Sequence, residues 1–267
     1  MPDATTPSRR VRRTWLIAGS LLTLPVLLFR ASGVASALAH EERTEVSTIA
    51  AAGLRSVDID NASGSVRVVG VGEADTVTVN AHISDGLRPT GHDVHRDGDR
   101  LVVEGSCPVF LGDWCNVRYT VEIPSDLPVV VHADDGGVTV TDMAADIEAS
   151  SNNGPVELAR IEGNIELHSD NGSVTATAIR QESRAEATSD NGDVRLEFLD
   201  PPDDVVATSD NGSVEVVLPD TGELYQVDAH SDNGTVSTAG VGTRPGSDRT
   251  IRAESDNGDV TITYALD

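Results

Sequence analysis

Ser169-Asp170-Asn171-Gly172, Ser189-Asp190-Asn191-Gly192, Ser209-Asp210-Asn211-Gly212, Ser231-Asp232-Asn233-Gly234 and Ser255-Asp256-Asn257-Gly258 are copies of one tetrapeptide. Two degenerate copies precede them, Ala133-Asp134-Asp135-Gly136 and Ser151-Asn152-Asn153-Gly154, and a weaker one ends at Gly64. From Gly136 through Gly154, Gly172, Gly192, Gly212 and Gly234 to Gly258 the steps are 18, 18, 20, 20, 22 and 24 residues. Such periods mark a repeat architecture in which each copy is one structural unit. An apolar residue stands two positions before each Ser and a valine two positions after each Gly, as in Leu167/Val174, Ala187/Val194 and Ala207/Val214. Alternation continues outward, with Val194, Leu196 and Phe198 set against Arg195 and Glu197. Period two is the signature of a strand with one buried face.

Asn and Gly tolerate positive φ, and an Asp side chain can bond a nearby backbone amide, so each unit reads strand, tight turn, strand. Two strands around Asn-Gly also fit an antiparallel hairpin. A parallel coil explains more: equivalent residues of stacked turns lie above one another, so the same residue type recurs at the same place. Aromatics are only 3% of the chain, which suits a narrow interior of Val, Ala, Leu and Ile. The expected fold is therefore all-β, a parallel β-solenoid of about 20-residue coils. Val174, Val194, Val214, Val236 and Val260 should all face its interior.

Residues 1–39 stand apart. Arg9, Arg10, Arg12 and Arg13 precede an apolar run from Thr14 to Phe29, followed by Arg30 and small residues to Ala39. This is an N-terminal membrane helix or a signal segment. The arginine bias holds the N-terminus in the cytoplasm and exports the body. The expected location is the cell membrane, single-pass, with the body extracytoplasmic; the alternative is secretion after cleavage near Ala39, since Ala37-Leu38-Ala39 resembles a small-residue cleavage site.

Residues 40–124 read as irregular β coils plus a capping insertion, because an uncapped solenoid end exposes apolar interior and strand edges. Residues 125–267 hold the seven regular coils, about 34 Å of stack at the usual strand spacing. The only cysteines, Cys107 and Cys115, lie in the irregular part. Export favours one disulfide between them, worth about 2.6 kcal/mol on loop entropy. A redox pair is the alternative, although the Cys-x-x-Cys spacing is absent.

From His40 onward 14 Arg face 43 Asp and Glu. Such a surface excludes nucleic acid and suits cations or a cationic or cell-envelope ligand. Asp170, Asp190, Asp210, Asp232 and Asp256 form a column that could hold calcium; the simpler reading has each Asp capping its own turn. Calcium needs six to eight oxygens per ion, and the nonapeptide of calcium-binding solenoids is missing. His132, His168 and His230 share one position but are separated by Ser150, Thr188 and Thr208, so no shared metal is expected there, and His82, His92 and His95 read as surface histidines. No cofactor or catalytic motif is found, neither Gly-x-Ser-x-Gly, nor His-Glu-x-x-His, nor a phosphate loop.

The anchor, His40-Glu41-Glu42-Arg43-Thr44-Glu45, Thr90-Gly91-His92, the Cys107 and Cys115 segment and the Ser-Asp-Asn-Gly coils together resemble the bacterial putative adhesins with β-strand repeats. That resemblance implies a membrane-anchored β-solenoid acting as an adhesin or envelope scaffold rather than an enzyme. The competing function is a carbohydrate-active β-helix enzyme acting on envelope polysaccharide. Its carboxylate pair would have to interrupt the repeat, and no such interruption is visible. Mass spectrometry of the exported protein without reduction should show two hydrogens fewer than the dithiol; free thiols would refute the cross-link.

Overall fold

In the computed structural model, which describes residue 23 and residues 40–86, 88–107, 115–180, 184–238 and 240–265, the chain winds between two facing sheets. The anchor or signal segment lies outside the described residues, as does the loop 108–114 between the cysteines. Among the described residues, no helix is long and apolar enough to cross a membrane.

The N-terminal part comprises β1 (Glu41–Ala50), β2 (Ser56–Asn61), β3 (Val66–Gly70), β4 (Thr76–Asp85), β5 (Gly91–Asp97), β6 (Arg100–Ser106) and β7 (Cys115–Ile123). The regular coils follow as strand pairs around each turn. They are β8 (Val129–Ala133) with β9 (Val138–Met143), β10 (Ile147–Ser151) with β11 (Val156–Glu162), and β12 (Ile165–Ser169) with β13 (Val174–Arg180). Next come β14 (Arg184–Ser189) with β15 (Val194–Phe198), and β16 (Asp204–Ser209) with β17 (Val214–Leu218). The last two are β18 (Gln226–Ser231) with β19 (Val236–Ser237), and β20 (Thr250–Ser255) with β21 (Val260–Tyr264).

Strands before the turns pair only with one another, and strands after them do likewise. Pairing between coils is parallel and in register, apart from a shift between β13 and β15 after Ala176: Leu167 lies beside Ala149 and Ala187, and Val194 beside Val174 and Val214. No hairpin forms across an Asn-Gly turn. The two inward faces meet in one apolar seam, where Val138, Val156, Val174, Val194, Val214 and Val260 are at most 1% exposed.

Three expectations need correction. First, the body is not parallel throughout. β1 pairs antiparallel with β4, β4 with β7, and β5 with β6, and these strands close the N-terminal end of the stack.

Second, space does not follow chain order. β20 lies between β16 and β18, and β21 between β17 and β19, so the last coil in sequence is wedged beneath the one before it. The coil of β2 and β3 is likewise wedged, between β6/β7 and β8/β9. Third, Val236 is 46% exposed, because β18 and β19 form the terminal layer and nothing described covers their inner side.

The turn glycines also have a different reason from the expected one. Gly154, Gly172, Gly192, Gly212, Gly234 and Gly258 are not in the left-handed region. Instead, a Cβ on any of them would fall within 3.0 Å of the backbone of the stacked glycine, nearer than real Cβ atoms approach. Glycine is required by the neighbouring coil. Left-handed residues occur elsewhere, at Asp142, Arg160 and Ala178, on the opposite corner of three successive coils, with φ of 63°, 58° and 55°. None is glycine, so each carries a cost of about 1–2 kcal/mol.

Gly212→Ala should lower stability by about 2–4 kcal/mol, since its methyl would meet the Gly192 carbonyl and adjacent amide, which belong to a packed ladder. Urea unfolding measures this; a change below about 0.5 kcal/mol would show that the coils tolerate wider spacing.

Candidate binding edge

The turns build one continuous polar edge. Its first component is the serine hydroxyl, which donates to the carbonyl of the stacked glycine: Ser169 to Gly154 at 2.9 Å, Ser189 to Gly172 at 2.9 Å and Ser209 to Gly192 at 2.8 Å. The wedged order continues the series, with Ser255 donating to Gly212 and Ser231 to Gly258, both at 2.8 Å. Ser169, Ser189, Ser209 and Ser255 sit almost entirely out of solvent, and the bond satisfies a hydroxyl that would otherwise be costly to bury; Ser231, in the terminal layer, is partly exposed.

The second component is an asparagine ladder. Each Asn Nδ2 donates twice to the coil beneath it, once to a backbone carbonyl and once to a side-chain oxygen. Asn191 reaches Asp170 O at 3.0 Å and Asn171 Oδ1 at 3.2 Å; Asn211 reaches Asp190 O and Asn191 Oδ1, both at 3.1 Å. Asn257 and then Asn233 extend the ladder to the terminal layer.

Aspartate is the third. Its backbone N–H donates to the serine carbonyl of the coil beneath, as in Asp190 to Ser169 at 3.1 Å, while Asp190, Asp210, Asp232 and Asp256 are exposed and Asp170 partly so. The reading of Asp as a cap of its own turn does not hold. Asp134, Asp170 and Asp232 instead bond the histidine two residues earlier: His132 at 3.2 Å, His168 at 2.7 Å and His230 at 2.8 Å. His132 also meets Ser150 and His168 meets Thr188, each through Nδ1. Among the described residues no three His, Cys, Asp or Glu side chains converge as metal ligands would, and the calcium candidates Asp170, Asp190, Asp210, Asp256 and Asp232 form a single file in that spatial order.

Away from the turns, sequence reasoning missed the inter-coil carboxylates. Asp259 accepts both the amide and the hydroxyl of Thr235 at 2.8 Å, and those bonds lower its pKa. Asp142 holds Arg160 through two contacts of 2.6 and 2.8 Å, and the guanidinium lowers its pKa. Only an Asp and an Arg 18 residues apart, one repeat step, signalled that pair.

The N-terminal cap carries the remaining polar contacts, with His82 on Thr44 and His95 on Asp93 apart from His92. Asn61 stands in the serine place and donates to Gly64 O at 2.8 Å and Val117 O at 2.9 Å. Tyr119, fully buried, donates to Glu104 O at 2.9 Å, so the His92 Nδ1 that meets its oxygen at 2.9 Å is the donor. Burial lowers the His92 pKa. Arg43 pairs with the buried Asp85, which also accepts the Thr90 amide at 2.7 Å. Cys107 and Cys115 are joined, with Cα atoms 5.7 Å apart.

This arrangement coincides with a known family model, Toastrack DUF4097, which matches residues 128–263, from the start of the first regular coil to the last strand. The chain belongs to the Toastrack family. Solved structures with a similar fold include a putative cell adhesion protein from Clostridium sporogenes, 12% identical with a TM-score of 0.38 over 84% of this chain and 100% of that one. A putative adhesin from Bacteroides fragilis is 13% identical, with a TM-score of 0.45 over 84% and 97%. A third, a putative adhesin from Parabacteroides merdae, is 12% identical, with a TM-score of 0.38 over the same shares. No curated protein matches the chain. The Toastrack match spans the Ser-Asp-Asn-Gly edge, whereas the antiparallel cap lies before it.

Two outcomes are expected. Asn191→Ala should cost about 1 kcal/mol, and Asn191→Asp more, because a carboxylate would face Asn171 Oδ1 and Asp170 O; urea unfolding checks both. Because the folded His92 pKa is depressed, its contribution is present above pH about 6.5 and is lost as pH falls below that value. The thermal midpoint of the wild type should therefore fall more steeply on acidification than that of His92→Gln, whose amide can still donate to Tyr119. Parallel pH profiles would contradict the assignment.

Proposed function

We propose that this Toastrack protein is a membrane-anchored extracytoplasmic adhesin or envelope scaffold, tethered by its N-terminal segment and binding through the repetitive acidic edge. The observation that carries this reading is the edge itself. Its asparagines and serines are committed to the neighbouring coil, which leaves a file of outward carboxylates at fixed spacing. A file of equivalent groups spreads affinity over many weak contacts, as adhesion requires, whereas catalysis needs one preorganised place.

A cationic or cell-envelope ligand fits this edge better than an anionic one, and the membrane is a partner only through the N-terminal helix. Should that segment be cleaved near Ala39, the same body would act as a secreted protein.

The test is a binding screen of the protein against cell-wall glycans, cationic peptides and whole cells, with turnover of the same glycans followed in parallel. Salt-sensitive binding without turnover is expected, weakened severalfold by Asp190→Asn together with Asp210→Asn. Glycan turnover abolished by one carboxylate substitution would overturn the reading in favour of the enzyme.

A further inference from the structure

The two ends of the stack are finished differently. Antiparallel strands close the N-terminal end, but the last layer at the other end is β18 with β19. β18 bonds β20 through alternate residues, beginning with Gln226 N–H to Arg249 O and ending with Asp232 N–H to Ser255 O. The N–H and C=O groups of Val227 and Ala229 and the C=O of Ser231 therefore point the other way, where no described residue pairs with them.

A lane for one more strand has already been started. Tyr225 N–H donates to Gly242 O at 3.0 Å and Arg244 N–H to Tyr225 O at 2.8 Å, and Thr243 is the parallel partner of Tyr225. Pro245 then leads the chain out of the lane. What remains is an open recess of about 600 Å³ whose walls include Val227, Ala229, Val236, Thr243 and Pro245. Here Ala229 is half-buried, whereas Ala207 and Ala253 in the layers beneath are fully buried.

At the turn, Ser231 O, Asn233 Oδ1 and Gly234 O are acceptors without a described donor; their counterparts in the layers beneath each receive one from the next coil.

We propose that this end is a strand-accepting site, which takes an extended segment of another protein as a parallel addition to β18. Small apolar residues of that segment would cover Val227 and Ala229, and a basic residue would lie beside Asp228. The ladder beneath supplies the pattern, with Arg252 beside Asp228, Ala253 beside Ala229, Glu254 beside His230 and Ser255 beside Ser231. Charge complementarity selects the partner: Asp228 is exposed at the lane, and the Arg252 beside it in the layer beneath is bonded to Glu254, so the Asp228 carboxylate is open to a cation brought by the incoming segment. This goes beyond the binding-edge reading and stands without it, because the variants below leave the aspartate file in place.

The probe is a fluorescent peptide with the sequence of Arg249–Gly258, titrated into the full-length protein. Ala229→Pro removes an outward N–H and leaves the β18–β20 ladder, which does not use that group. Asp228→Arg leaves the backbone lane open and reverses its charge. Saturable binding to the wild type is expected, weakened at least tenfold by Ala229→Pro. Asp228→Arg should transfer the preference to a peptide in which the residue at the Arg252 position is glutamate. Absence of binding, binding insensitive to both variants, or a stable dimer in which a second copy occupies the lane would each overturn the proposal.

Discussion

Everything in this molecule depends on one close approach, the glycine carbonyl of each turn set against the glycine of the next. With no Cβ in the way, the turns can follow the strands at ladder spacing, and the carbonyl is left in reach of a serine hydroxyl from the adjoining coil. A side chain at that point would open the edge while the strands tried to stay closed. The asparagine ladder needs the same spacing, since Nδ2 must reach a carbonyl and an amide oxygen together. Backbone, hydroxyl and carboxamide bonds thus share one geometric condition.

That condition accounts for the tolerance of so much negative charge. In-register stacking places Glu148, Glu166 and Glu186 beside one another on the outer face, and the turn aspartates along the edge. Repulsion between carboxylates one strand apart is about 0.9 kcal/mol in water and less in salt. Each inward Val, Leu or Ile contributes about 1.5–3 kcal/mol when buried, so the seam outweighs the outer face. Arginines temper the charge locally: Arg195 between Glu197 and Glu215, and Arg184 beside Glu186.

Period two, the turn tetrapeptide and the valine after it were enough to read the two sheets, their parallel pairing and most of the seam. Stacking order was not legible, for a physical reason. When every turn has the same chemistry, each coil is as good a neighbour as any other, and order must come from residues outside the repeat. Arg249 is such a residue, bonding Pro201 O, Pro202 O and the Asp203 carboxylate at 2.9, 3.0 and 2.7 Å and so fixing β20 beside β16. The misplacement of Val236 follows from the same gap, since its exposure depends on which coil is last. The aspartate file was visible in the sequence, but not its pairing with the preceding histidines, because strand spacing alone does not say whether a side chain turns along its own strand or across to the next. At Asp142 and Arg160 the left-handed corner carried no glycine to announce it.

Cysteine cross-linking tests the wedged order most directly. Thr208 lies beside Glu254 in the ladder, and His230 lies one layer further. The Thr208→Cys/Glu254→Cys pair should therefore bring Cα atoms to about 4.8 Å, and the Thr208→Cys/His230→Cys pair to about 9.6 Å, beyond the reach of a disulfide. Under mild oxidation the first variant should cross-link and the second should not; cross-linking of the second alone would mean that the coils stack in chain order and that the account of the fold is wrong.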